Sequence, residues 1–136
     1  MNNIKGHCYC GAVQITIREY GNFIYACHCR ECRRINSGPI FSVDPGPKEN
    51  VIFNEGEDNI TIFPDDDVER AFCSTCGTTL YWYDPAKNHI CMNAELFDAI
   101  IEDGSFELEL FYDSKPEYYS FEGRRNRLNH KFEKIE

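Results

Sequence analysis

The stretch Cys73-Ser74-Thr75-Cys76-Gly77 is the strongest structural signal in the sequence. A C-x-x-C turn places two thiolates on the same side of a tight loop, and a glycine after the second cysteine permits the positive φ that such a turn often needs. Two thiolates are half of a tetrahedral zinc site, so the stretch predicts a second cysteine pair elsewhere in the chain. Cys8 and Cys10, followed by Gly11, are the obvious pair.

Together these four cysteines, Cys8, Cys10, Cys73 and Cys76, predict one structural zinc ion that ties the N-terminal part of the chain to its middle. Four thiolates leave zinc no open coordination position, so its task is structural. Two alternatives remain at this point. The residues could be ordinary buried cysteines, or Cys73 and Cys76 could form a thioredoxin-like redox pair, although such a pair favours a βαβ context and both flanks here are typical of strands.

A second set of cysteines lies in Cys27-His28-Cys29-Arg30-Glu31-Cys32. Three protein ligands and one exchangeable position are the pattern of a catalytic zinc, so Cys27, Cys29 and Cys32 are the candidate catalytic residues, acting through the metal. Between two ligands on an extended backbone, His28 should point to the opposite face. Cys91 could complete the site or be a buried strand residue, and a purely structural second zinc is a further alternative.

Arginines near the second set are candidates for binding substrate. Arg33 and Arg34 follow Cys32, and Arg70 precedes Cys73. Their charges would lower the pKa of nearby thiols and could hold an anionic substrate by its carboxylates. The alternative is that the arginines neutralise the charge of nearby acidic side chains, such as Glu31 and the three aspartates at 65–67.

The length, composition and net charge of the chain exclude several classes of protein. A chain of 136 residues is one ordinary domain, and a 14% aromatic content excludes a disordered chain. The net charge of −9 argues against nucleic acid and anionic membranes as partners. The N-terminus lacks a signal-peptide core and no apolar run is long enough to span a bilayer, so a cytoplasmic location is expected. In that reducing compartment, eight cysteines indicate metal binding rather than disulfides.

Hydrophobic alternation between Gly, Pro, Asn and Asp turns predicts a mainly β fold with one or two short helical turns, at 29–35 and 96–101. The predicted strands are 12–19, 23–26, 40–43, 51–53, 59–63, 68–72, 78–83, 89–93 and 106–112. We expect a single domain over 1–136, with an ordered core at about 4–121. Residues 122–136 are predicted to form a charged, partly disordered tail.

The order of the three cysteine motifs resembles the glutathione-dependent formaldehyde-activating enzyme family, also called the centromere protein V-like family, from about Gly6 to the segment 112–116. The resemblance rests on Gly6-His7-Cys8-Tyr9-Cys10-Gly11, Cys27-His28-Cys29-Arg30-Glu31-Cys32 and Arg70-Ala71-Phe72-Cys73-Ser74-Thr75-Cys76-Gly77. It implies an Mss4-like fold of curved antiparallel sheets and two zinc ions per chain, bound by the two cysteine sets already described. The implied activity is that of a carbon–sulfur lyase, which adds glutathione to formaldehyde or cleaves S-hydroxymethylglutathione.

The sequence departs from the family pattern in three places. Segment 94–98 reads Ala-Glu-Leu-Phe-Asp where Gly-x-Leu-Asp is usual, Glu109 stands where a His is common, and Tyr118-Tyr119 replaces a frequent Trp. The working hypothesis is a zinc-dependent carbon–sulfur lyase acting on a small thiol adduct. The alternative is a non-catalytic, zinc-stabilised protein-binding module, which should cover the second metal with protein instead of opening a pocket onto it.

Overall fold

The computed structural model describes residues 2–135 and is built mainly from short strands. Its strands are β1 (Asn2–His7), β2 (Gln14–Tyr20), β3 (Phe23–Cys27), β4 (Ile40–Gly46), β5 (Val51–Glu55), β6 (Ile60–Asp65), β7 (Val68–Cys73), β8 (Thr79–Asp84), β9 (His89–Asn93), β10 (Ser105–Leu110) and β11 (Asn126–Arg127). Two α-helices are present, α1 (Arg30–Asn36) and α2 (Asp98–Asp103), with four single-turn 3₁₀ helices at Lys48–Asn50, Glu57–Asn59, Ala94–Leu96 and Tyr112–Ser114. The mainly β prediction is confirmed, and each predicted strand has a counterpart among β2 to β10.

The strands form two open sheets. The small sheet has the order β1-β2-β5, and the large sheet has the order β11-β10-β3-β4-β9-β8-β7-β6. Most pairings are antiparallel, as expected, but β10 runs parallel to both β3 and β11. The sequence could not indicate these parallel pairs, because β3 and β10 are far apart along the chain and no local turn sets their register.

The hydrophobic core draws on both sheets and on α2. Ile15 and Ile17 of β2 are almost fully buried with Leu80 of β8 and Met92 of β9, and Phe97, before α2, is completely buried. Burial of each such side chain contributes roughly 1.5–3 kcal/mol. The alternating apolar residues from which β2 was predicted are therefore the residues that it contributes to the core.

The first strand, β1, was not predicted, because Ile4 is the one large apolar side chain within it. Ile4 is buried, and β1 pairs with β2. Gly6 lets the strand approach the turn before α2: a Cβ there would lie 2.5 Å from the carbonyl oxygen of Leu96 and 2.6 Å from Cδ1 of Phe97. A glycine is required at this position for steric reasons.

Residues 122–135, which the sequence predicts to be a charged, partly disordered tail, are mostly exposed, but part of the segment pairs with the large sheet. They contain β11, and the guanidinium groups of Arg125 and Arg127 bind Oε2 of Glu109 at 2.7 and 2.9 Å. Glu109 is fully buried, so its charge draws these cations onto the sheet.

No helix within residues 2–135 is long and apolar enough to cross a membrane.

Candidate metal centres and cavity

Cys8, Cys10, Cys73 and Cys76, here called the first cluster, converge as their spacing predicts. Their Sγ atoms all lie within 4.8 Å of one another, with Cys8–Cys10 at 3.6 Å and Cys10–Cys73 at 3.8 Å. Zinc with bonds of about 2.3 Å to four sulfurs sets them about 3.8 Å apart in a tetrahedron. The donor set therefore fits one zinc ion, and the separations are far too long for disulfide bonds.

Turns at the ends of strands build the first cluster. Gly11 and Gly77 have φ of 81° and 78°, in the left-handed region that glycine adopts most readily. The amide of Gly77 donates to the carbonyl of Cys73 at 2.8 Å and closes the C-x-x-C turn. A hydrogen bond with the Thr78 hydroxyl lowers the pKa of Cys76 to about 5, which favours the thiolate that a metal needs.

Cys27, Cys29 and Cys32, here called the second cluster, lie where β3 ends and α1 begins. Their Sγ atoms lie within 4.8 Å of one another, and those of Cys27 and Cys32 are 3.5 Å apart. Cys29 is the N-cap of α1, and its sulfur accepts a hydrogen bond from the amide of Cys32 at 3.3 Å. Three sulfurs this close together could hold a metal with one further position open.

The second cluster favours one thiolate even before a metal is bound. Hydrogen bonds from the thiols of Cys27 and Cys29 lower the pKa of Cys32 to about 3, and the charge of Arg70 adds to the effect. Hydrogen bonds with Cys29 and Cys32 keep the proton on Cys27 and so raise the pKa of its thiol. Burial of Cys27 raises this pKa further.

A cavity of about 730 Å³ lies beside the second cluster. Among the described residues that line it are all three cysteines of the second cluster and none of the first. Most of the rest are aromatic or aliphatic, namely Phe23, Tyr25, Ile35, Ile40, Phe63, Ala71, Phe72, Tyr81, Trp82, Leu108, Leu110, Phe111 and Phe132. The second cluster therefore faces an accessible, largely apolar space.

Of the three candidate arginines, the structure brings Arg70 alone to this cavity. Its Nη1 lies 4.0 Å from Sγ of Cys32, while its Nε donates to Asp65 at 2.9 Å. Arg33 instead donates from Nε to the carbonyl of His28, at 2.9 Å, and from Nη2 to that of Ser114, at 3.2 Å. Neither Arg33 nor Arg34 is among the described cavity residues, because α1 directs them elsewhere. Contact of Arg33 and Arg34 with substrate stays a prediction, which their position outside the described cavity wall does not favour.

The other two candidate ligands also lie outside the second cluster. Cys91 groups with Asp44 and His89 in the cavity wall, where the His89 Nε2 is 2.7 Å from the Asp44 carboxylate and 3.8 Å from the Cys91 sulfur. Burial raises the pKa of Cys91 to about 12, so it stays a thiol. His28 turns away from its cysteine neighbours, as the extended backbone predicts.

His28 is the centre of a buried network that sequence reasoning missed. Its ring is fully buried, with Nε2 at 2.8 Å from Glu109 and Nδ1 at 2.7 Å from the Tyr119 hydroxyl. Burial lowers the pKa of His28, so the neutral ring donates from Nε2 to Glu109 and accepts from Tyr119. Although burial opposes ionisation of Glu109, hydrogen bonds from Arg125, Arg127 and His28 hold its pKa below the usual value. Glu109 and Tyr119 are two of the places where the sequence departs from the family pattern, and both meet at His28.

The geometry defines a β-sheet protein with two cysteine clusters suited to metal ions, one of them open to a cavity. The model of the glutathione-dependent formaldehyde-activating enzyme family matches residues 3–114. The chain belongs to that family.

Relatives agree with this assignment. The chain is 34% identical over 123 residues to an uncharacterised lyase of Schizosaccharomyces pombe, covering 89% of this chain and 87% of that protein. It is 22% identical over 129 residues to a Halomonas elongata protein that carries the family's name, covering 89% and 82%. The fold is similar to the crystal structure of a Rhodobacter sphaeroides protein, with a TM-score of 0.55 and 22% identity over 70% of this chain and 88% of that one.

Proposed function

We propose that this protein is a zinc-dependent carbon–sulfur lyase that cleaves, or in reverse forms, the hydroxymethyl adduct of a thiol. One observation carries the proposal: in a member of this family, three cysteine sulfurs at zinc-ligand spacing face a cavity of about 730 Å³. The glutathione adduct of formaldehyde, S-hydroxymethylglutathione, is the reference substrate that the family name suggests.

The reaction converts RS–CH₂–OH into RSH and formaldehyde. The C–S bond breaks with its electron pair left on sulfur, the O–H pair becomes part of the C=O bond, and the proton ends on sulfur. Zinc bound by Cys27, Cys29 and Cys32 would supply a position for the substrate sulfur and stabilise the negative charge that develops on it.

The chain's own residues prepare this site. Cys29 fixes the start of α1 through its hydrogen bond from the amide of Cys32, so two ligands move as one unit. Arg70, at 4.0 Å from the Cys32 sulfur, places positive charge beside the sulfur-rich site. The apolar cavity wall excludes water and strengthens these electrostatic interactions.

The first cluster has a different task in this proposal. Its four thiolates would hold a second zinc ion with no open position, and that ion would join the turn after β1 to the turn after β7. A non-catalytic binding module is the rival function. The cavity beside the second cluster argues against it, since a module has no need to place three metal ligands along the wall of a cavity.

The substitution Cys29→Ser tests the proposal. A hard oxygen ligand holds zinc less well than a thiolate, so turnover of hydroxymethyl thiol adducts should fall by about a hundredfold or more. Zinc content should fall from two ions per chain towards one while the melting temperature changes little. Cys91→Ser is the matched control, because Cys91 lines the cavity but lies outside both clusters. Activity that survives Cys29→Ser undiminished would return the protein to the binding-module class.

A further inference from the structure

Apolar side chains surround the second cluster along the sheet. Cys27 at the end of β3 pairs with Ile40 of β4 on one side and with Leu110 of β10 on the other. Directly paired residues of neighbouring strands share a face, and all three line the cavity. The part of a substrate next to its sulfur would therefore lie over two aliphatic side chains.

Charged groups in the cavity do not match glutathione, which carries two carboxylates and one ammonium group. Of the described residues that line the cavity, Arg70 and Lys87 are cations and Asp44 and Asp84 are anions, with His89 against Asp44. Arg70 already binds Asp65 at 2.9 Å. The cavity thus offers no surplus of positive charge, and transferring a carboxylate into it without a partner is unfavourable.

We infer that the preferred substrate of this site is the hydroxymethyl adduct of a thiol with an uncharged, apolar substituent, such as an aryl or alkyl group. The inference rests on the proposed function and specifies its substrate class. Trp82 of β8 and Leu108 of β10 extend the apolar wall beyond the cysteines, so a ring or a short chain has surface to bury against. Buried apolar area, not carboxylate recognition, sets the specificity.

A substrate panel on the wild-type zinc protein is the direct test. The panel pairs the formaldehyde adducts of benzyl mercaptan and a short alkanethiol with that of glutathione. We expect kcat/KM to be about tenfold or more higher for the apolar adducts, which corresponds to the burial of one modest apolar group. A glutathione adduct turned over as well as, or better than, the apolar ones would overturn the substrate class but keep the lyase. No turnover of any adduct would overturn the proposed function itself.

A pair of variants locates the specificity in the wall. Trp82→Ala should raise KM for the benzyl adduct several-fold and leave the low efficiency with the glutathione adduct nearly unchanged, because uniform apolar binding is lost. Tyr118→Ala is the matched control, since Tyr118 is 81% exposed and lies outside the described cavity wall. If Trp82→Ala is poorly folded, the wild-type panel still decides. Equal effects of Trp82→Ala on both adducts would contradict the inference.

Residues beyond the family match support the second cluster through His28. The family model ends at residue 114, whereas Tyr119, Arg125 and Arg127 all follow it. Tyr119 binds His28 directly, and the two arginines bind Glu109, which binds His28 in turn. His28 lies between two ligands of the cluster, so its ring position sets the backbone of both.

We infer that Glu109, with Arg125 and Arg127, is a positioning group for the second cluster. Loss of a group that hydrogen-bonds a metal ligand directly costs about 10–100-fold in metal affinity. Glu109 acts one residue further out, through His28, so the lower end of that range is expected. Arg127→Gln should therefore speed zinc release from the second cluster to a chelator by about tenfold, with release from the first cluster unchanged.

Cobalt substitution reports on the same cluster by spectroscopy, because thiolate-to-cobalt absorption follows ligand geometry. Arg127→Gln should alter the bands of the second cluster, and Arg127→Lys should restore them in part by returning the charge. The matched control is Arg124→Gln, an exposed arginine of the same segment. Equal acceleration of release from both clusters, or an equal effect of Arg124→Gln, would show a merely structural role.

Discussion

Among single residues, Cys29 and Cys76 show how the surroundings of a cysteine determine what its loss should change. Cys29 caps α1 and lines the cavity. Cys76 lies in the turn after β7, with its sulfur 3.0 Å from the Thr78 hydroxyl and outside the described cavity wall. The same substitution, cysteine to serine, should therefore change activity at one position and folding at the other.

Cys76→Ser tests the folding side. Structural zinc binding is coupled to folding, so loss of one ligand of the first cluster should cause unfolding or aggregation. The measurement is the melting temperature by circular dichroism, with Cys91→Ser as the cysteine control. A soluble Cys76→Ser protein with the wild-type melting temperature would refute the pairing of Cys8 and Cys10 with Cys73 and Cys76.

Gly6→Ala tests a steric requirement in β1. The added Cβ would meet the Leu96 carbonyl oxygen at 2.5 Å and Phe97 at 2.6 Å, and backbone cannot yield as a flexible side chain does. Overpacking of this kind costs about 1–3 kcal/mol in the free energy of unfolding. Urea denaturation measures it; an unchanged midpoint would show that β1 does not approach the turn before α2 so closely.

At the scale of elements, β10 joins the cavity to the C-terminal residues. Leu108 and Leu110 line the cavity, and Glu109 between them binds His28, as alternation along a strand requires. Of its two parallel neighbours, β3 ends with Cys27 of the second cluster and β11 contains Arg127. A charge on the polar face of β10 is thus buried and paired instead of exposed to solvent.

Truncation after Phe121 tests this arrangement. Removal of Arg125 and Arg127 leaves Glu109 buried without a cation, which should lower the free energy of unfolding by about 3 kcal/mol or more. Adding Glu109→Gln to the truncated chain should recover part of that loss, because the unpaired charge disappears. Urea denaturation of the three proteins gives the comparison. A truncated chain as stable as the full one would restore the solvated-tail interpretation.

In the molecule as a whole, the first cluster links the two sheets, whereas the second cluster lies within one short segment of the chain. The first cluster joins the turn after β1, in the small sheet, to the turn after β7, in the large sheet. The second cluster lies within the short segment 27–32 and faces the cavity. Metal loss from the second should therefore leave the two sheets joined.

Stepwise removal of metal tests that division. Purified protein should carry two zinc ions per chain, and a competing thiol chelator should take the first equivalent from the second cluster with little change in circular dichroism. Removal of the next equivalent should unfold the protein, because the remaining zinc holds the sheets together. Loss of both ions at one rate, or unfolding with the first, would contradict an open site beside a closed one.

Local patterns were enough to predict most of the strands, the second cluster and each half of the first cluster. Cys73 and Cys76 are two strand-flanking residues of one turn, and Cys27, Cys29 and Cys32 lie within six positions. Cysteines this close along the chain are brought together by a few turn dihedrals, so their convergence depends little on distant residues. Alternation of apolar residues similarly determined β2 and its place in the core.

Only the tertiary structure determines which charged residues line the cavity. Sequence proximity suggested Arg33 and Arg34, but α1 turns them from the cavity, and the antiparallel pairing of β7 with β8 brings Arg70 there instead. The burial of Glu109 and its pairing with Arg125 and Arg127 could not be predicted from the sequence either. Those contacts depend on parallel strands distant in sequence, and a short-range pattern carries no record of which distant charges will be buried together.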